Sequence, residues 1–182
     1  MNLTYIKPEK INMKANPDIN ENWLKEKIIE DSSILGLGEL IVKDVERIQP
    51  RAGRLDLLLQ EPESNQRYEV EVQLGSTDES HIIRTIEYWD IERKRYPQYE
   101  HAAVIVAEDI TSRFFNVISL FNGFIPLIAI QINAIKFGDK ISLVATKILD
   151  QVTLGYEEED DDITLEVVDR AYWEKRASRE SM

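Results

Sequence analysis

The six residues Ala102 to Ala107 carry no polar side chain, and three of them are the β-branched Val104, Ile105 and Val106. A strand with one face in water alternates apolar with polar residues, so an unbroken run of this kind fits a strand covered on both faces. Helices packed on both sides of a sheet supply that cover, which points to an α/β layer fold. The flanking sequence agrees. Asp18 to Asp31 predicts a helix with Asp18 or Asn20 as N-cap and a stripe of Leu24 and Ile28, closed by Gly36 and Gly38. Leu40 to Ile48, Leu55 to Gln60 and Tyr68 to Leu74 read as three strands, the last two joined by turn residues Pro62, Ser64 and Asn65. A long amphipathic helix follows from about Asp78 to Arg95, with Ile82, Ile86 and Trp89 as its apolar face, and it must stop before Pro97.

After the apolar run, Asp109 can cap a third helix with a stripe of Phe114, Val117, Ile118 and Phe121, which Gly123 ends. Phe124 to Ile132 predicts a further strand, and Ala134 to Leu149 a hairpin turning at Gly138-Asp139. The expected order is α-β-β-β-α-β-α-β, a mixed central sheet flanked by helices. Residues 1–17 show no clear period and predict a loosely ordered arm; 18–150 form the domain; 151–182 hold the acidic run Glu157 to Asp162 and a short C-terminal helix over Val167 to Arg179.

A chain of 182 residues without cysteine excludes a disulfide scaffold, a thiol nucleophile and any Cys-ligated metal. Lys7, Glu9, Lys10 and Lys14 stand where a signal peptide would need an apolar core, and no window reaches the ~18 apolar residues of a spanning helix, so a cytoplasmic protein with no membrane partner is expected. The formal net charge of −12 weighs against a nucleic-acid partner, because phosphates must be met by Lys and Arg. That charge is unevenly spread. Lys43, Arg47, Arg51 and Arg54 make Lys43 to Arg54 locally basic.

The second and third strands carry the chemistry. With a hairpin centred between Glu63 and Ser64, Leu55, Leu57 and Leu59 face Val72, Val70 and Tyr68 on one side. On the other, Arg54 faces Gln73, Asp56 faces Glu71 and Leu58 faces Glu69. Two acids directly opposed across a ladder repel. Such a pair needs either a proton held by one carboxylate or a hard divalent cation between them, and Mg²⁺ or Mn²⁺ suits an oxygen ligand set. Gln73 adds an amide able to orient a water.

Gly53-Arg54-Leu55-Asp56 followed by Glu69-Val70-Glu71-Val72-Gln73, after one helix and before an amphipathic one, resembles the PD-(D/E)xK phosphodiesterase superfamily, with its restriction-endonuclease-like core. The likeness spans roughly Asp18 to Gln131. It implies a metal-dependent nuclease in which Asp56 and Glu71 are ligands, Val72 lends its carbonyl, and Gln73 stands in the place of the motif lysine. Degenerate members of that family lack activity, so a catalytically inactive module for nucleic-acid or protein binding is the alternative. A shifted reading makes Glu69 and Glu71 the acid pair.

The same resemblance implies a further Glu from the first helix, for which Glu21 is the candidate; Asp18 and Glu21 also stand in the relation of a capping box. Arg84 and Tyr88 resemble, with Arg in place of Gln, the Gln-x-x-x-Tyr element of some nuclease branches. Arg84 would then grip a phosphate and Tyr88 bond near the site, with Arg54 as a further substrate contact. The alternative is a solvated helix face. His81 and His101 are too few and too isolated for a histidine metal site, and read as structural. The expected partner is a nucleic acid, DNA before RNA, bound through local patches to which a homodimer would add positive surface.

Overall fold

The computed structural model describes residues 5–152. Seven strands and three helices follow in the order β1 (Glu9–Ile11), α1 (Glu21–Glu30), β2 (Ile41–Gln49), β3 (Gly53–Gln60), β4 (Gln66–Ser76), α2 (Glu79–Arg95), β5 (Glu100–Asp109), α3 (Ser112–Phe121), β6 (Leu127–Phe137) and β7 (Lys140–Leu149). A single 3₁₀ turn, Ser32–Leu35, follows α1 and ends at Gly36 with φ 68°. The strands form one mixed sheet in the order β1-β6-β5-β4-β3-β2, with β7 also paired to β6. β5 runs parallel to both β4 and β6, and the remaining pairs are antiparallel.

The apolar run becomes the middle of β5, and its alternate residues divide two cores. Ala102, Val104 and Val106 pack with Leu24 and Ile28 of α1, whereas Ala103, Ile105 and Ala107 pack with Ile82 and Trp89 of α2 and Ile118 of α3. Helices thus cover both faces, as an unbroken apolar strand requires. No helix among the described residues is long and apolar enough to cross a membrane.

Several boundaries differ from the sequence expectation. Part of the stretch expected to be a loose arm is built into the domain: Glu9–Ile11 (β1) pairs with Ala134 to Lys136 of β6, and Met13 is fully buried. Its backbone N–H donates to Glu108 Oε1 at 2.7 Å. A three-residue strand followed by one core methionine is too short to show a period. Thr111, not Asp109, is the N-cap of α3, without a side-chain cap bond; Asp109 instead accepts from Ser76 Oγ at 2.9 Å. β6 begins at Leu127 and runs unbroken to Phe137, leaving Phe124 in the preceding turn and 89% exposed. The acidic linker and C-terminal helix lie outside the described residues.

Candidate functional site

β3 and β4 pair in the expected register, Leu57 with Val70 through Gln60 with Arg67. The ladder stops there. Beyond it, the two acids replace backbone bonds with side-chain ones: Asp56 N–H donates to Glu71 Oε1 at 3.0 Å, and Val72 N–H donates to Asp56 Oδ2 at 2.8 Å. Each carboxylate thus bridges to the backbone of the opposite strand. Leu55 leaves the side of Leu57 and Leu59 and joins Leu58 and Tyr88 in a small cluster under α2. The strict two-residue alternation expected of β3 therefore fails at the point where the strands part.

Two cations approach this point from the two layers. Lys25 of α1 is buried and donates from Nζ to Asp56 Oδ1 at 3.0 Å and to Glu46 Oε1. Glu46, on β2, holds φ at 52°, a left-handed conformation that a glutamate adopts at a cost of ~1 kcal/mol or more. From α2, Arg84 Nε stands 3.5 Å from Glu71 Oε2, with its side chain about half exposed. Three acids, Asp56, Glu71 and Glu46, thus meet three cations, Lys25, Arg84 and, at 3.9 Å from Glu46, Arg54.

The titration of these groups follows. Burial pushes the Glu71 carboxyl above the usual range, and the charge of Asp56 pushes it further, against the bond from Asp56 N–H and the charges of Arg84 and Lys25. Burial alone would lower the Lys25 ammonium. The hydrogen bonds and charges of Glu46 and Asp56 outweigh it and leave Lys25 above its ordinary value. His81, fully buried at the start of α2, lies 3.1 Å from the Glu71 carbonyl through Nε2, and burial keeps its pKa low. A neutral ring that donates from Nε2 leaves Nδ1 as a bare acceptor, and that atom has no protein partner.

The other expected site residues divide. Gln73 is tied by its amide, Nε2 donating to Asp78 Oδ2 at 2.9 Å, so it fastens β4 to the N-cap of α2. Its Oε1 is buried without a partner. Glu21 forms no capping box with Asp18. Asn20 is the N-cap, accepting from Trp23 N–H at 2.8 Å, and Glu21 Oε1 accepts from Leu74 N–H at 3.2 Å. Glu21 therefore reaches β4 but does not join Asp56 and Glu71. Among the described residues, no three or more acidic or histidine side chains converge as a metal cage.

Arg54 is exposed, with Nη1 3.9 Å from Glu46 Oε2. Tyr88 is a core residue, 2% exposed, and its hydroxyl donates to the Ala52 carbonyl at 3.0 Å. Arg47, expected in the basic patch, is consumed by Glu92 at 2.9 Å, Asp44 at 2.8 Å and the Tyr96 hydroxyl at 2.9 Å. Glu69 forms no acid pair with Glu71. It is buried with Oε1 2.7 Å from His101 Nδ1, so both take the structural role expected of His101.

Sequence reasoning missed Lys25 and Glu46. Lys25 lies three residues before Ile28 and next to Leu24, on the buried face of α1. A lysine at a core-facing position is itself a signal, since Lys is almost never buried without a partner. Glu46 had no such mark, because its backbone conformation is invisible in the sequence. Comparison with protein-family models, with curated proteins and with solved structures found no match to this chain.

Proposed function

We propose that the chain is a metal-dependent phosphodiesterase acting on nucleic acid, DNA before RNA. The observation that carries this reading is the Asp56–Glu71 pair: two carboxyl groups from neighbouring strands, held together where the ladder opens, each bonded to the backbone of the other strand.

The residues present fit Mg²⁺ or Mn²⁺. Mg²⁺ is usually held by only one or two carboxylates and keeps several waters, so a three-acid cage is not required. Each carboxylate oxygen has one donor near it and a second lone pair to spare. The orphaned Gln73 Oε1 adds a hard acceptor on the Glu71 side of β4. Asp56 and Glu71 would hold the cation, with the Val72 carbonyl as a third oxygen. Such a cation lowers the pKa of bound water and offsets charge on a phosphodiester.

The chain's own side chains do the rest. Lys25 supplies the positive charge that Gln73 lacks and fixes the Asp56 carboxylate. Gln73 accepts from a water through Oε1 while Asp78 holds its amide. Arg84 and Arg54, both open to solvent, contact the phosphate. Tyr88 makes no substrate contact.

A titration of Mg²⁺ and Mn²⁺ with single- and double-stranded DNA and RNA tests the reading, run beside Asp56→Asn and Glu71→Gln. Metal-dependent cleavage that both substitutions abolish is expected. Cleavage that survives both would place it elsewhere. Metal binding without cleavage of any substrate would support the inactive-module alternative, which Gln73 at the lysine place favours.

A further inference from the structure

The geometry points to a second phosphate-binding subsite, formed by Lys10 and Lys14 at the carboxyl ends of β4 and β5, which grips the nucleic-acid strand beyond the Asp56–Glu71 site. It rests on the phosphodiesterase reading above. The two lysines line a cleft of about 820 Å³ together with Asn12 and Ser76. The cleft lies at the carboxyl ends of the parallel strands β4 and β5, where Gly75, Ser76, Glu108 and Asp109 also line it.

The cleft is built rather than incidental. The buried Glu108 carboxylate gathers three backbone N–H groups: Met13 at 2.7 Å, Lys14 at 3.1 Å and Gly75 at 3.0 Å. These bonds fix the backbone of Lys14 against β4 and offset the charge of Glu108. Gly75 holds φ 78°, which side chains rarely adopt, and the stem of Lys14 lies over it, with Lys14 Cδ 2.4 Å from where a Cβ would be. Asp109, the other acid lining the cleft, accepts from Ser76 Oγ. In a chain of net charge −12, the segment Lys7 to Lys14 holds three lysines against the single Glu9.

Gly75 lies four residues beyond Glu71 on β4, ~13 Å at ~3.3 Å per residue. That is about four stacked nucleotides at ~3.4 Å each. A strand whose scissile phosphate sits at Glu71 therefore reaches Lys14 only if it continues past the cut. A single nucleotide or a free phosphate does not engage both places.

The test measures binding in EDTA, where nothing is cut, so it does not depend on hydrolysis. The probe is a fluorescein-labelled single-stranded oligodeoxynucleotide long enough to span both places, read by anisotropy across a salt series. Lys10→Gln/Lys14→Gln is compared with Lys94→Gln, which removes one exposed charge far along α2. The double variant is expected to bind several-fold more weakly at low salt, with the slope of log Kd against log salt reduced by about 1.4, or ~0.7 for each phosphate no longer neutralised. Lys94→Gln should match the parent. Unchanged affinity and slope in the double variant would overturn the subsite, as would full displacement of the oligonucleotide from the parent by inorganic phosphate at equal concentration. The expected binding loss with no cleavage in any metal would retain the subsite and remove the hydrolase reading instead.

Discussion

Lys25 is a buried cation between two acids, and its removal leaves Asp56 facing Glu71 without its ion-pair partner. Breaking a fully buried pair costs ~3–5 kcal/mol. Glu46 is 39% exposed and partly screened, so Lys25→Met should cost less, about 1–3 kcal/mol by urea denaturation. A change within about 0.5 kcal/mol, the range of an ordinary surface substitution, would mean that Lys25 is not the counter-ion. Glu69 offers a test by pH. Burial raises its carboxyl from 4.5 to about 7 despite the bond from His101. An acid whose folded pKa exceeds its unfolded one takes up a proton on folding, so its contribution to stability falls as pH rises from about 4.5 to about 7. Burial lowers His101, but the hydrogen bond and charge of Glu69 raise it further. Stability from His101 is therefore full below the ordinary histidine range and is lost as pH climbs through the raised value, which has the same sign. Glu69→Gln should flatten the fall of Tm with pH relative to the parent; an identical slope in both would contradict the assignment.

At the scale of elements, α2 departs most from its sequence reading, because two of its stripes are buried rather than one. Ile82 and Trp89 pack toward β5, while His81, Thr85, Tyr88 and Glu92, at steps of four, three and four, face inward beside them. The second stripe is polar, so hydrophobic periodicity could not reveal it. It is tolerated because its members find local partners: Thr85 donates to the His81 carbonyl, Tyr88 to that of Ala52, and Glu92 takes Gln49, Arg47 and Arg95. Tyr88 also closes over Gly53, whose φ is 120° and where a Cβ would stand 2.6 Å from the tyrosine oxygen. Tyr88→Phe should cost about 0.5–1.5 kcal/mol for the missing hydrogen bond. Gly53→Ala should cost more, and part of that excess should vanish in the Tyr88→Phe background. A double-mutant cycle by chemical denaturation that returned no coupling would show that the two residues do not crowd each other. The hairpin, by contrast, was legible down to its register, since alternation in Tyr68 to Leu74 and a short turn leave one pairing that buries the valines. What the alternation could not carry is the break between Leu55 and Leu57, where carboxylates take over the ladder.

For the molecule as a whole, the layered α/β architecture was legible because one apolar run demands cover on both sides. The edge strands β2 and β7 were legible too, but β1 was not. β1 is too short to have a pattern, and its place depends on Glu108, ninety-five residues from Met13 in sequence. Met13→Ala tests that anchoring, with an expected loss of about 2–5 kcal/mol, as for a core methionine elsewhere; a loss near zero would restore the picture of a loose arm. β6 is the strand on which the two extremes of the described chain converge. β7 lies along it from Ala129 to Phe137, and β1 pairs with Ala134 to Lys136. The exit of β7 and the entry of β1 are separated by the stretch from Ala129 to Lys136, ~24 Å at ~3.4 Å per residue. About ten residues of linker would close that gap. With the two ends so joined, cutting the chain at the exposed Glu61-to-Asn65 turn would yield a permuted chain in which every strand keeps its neighbours.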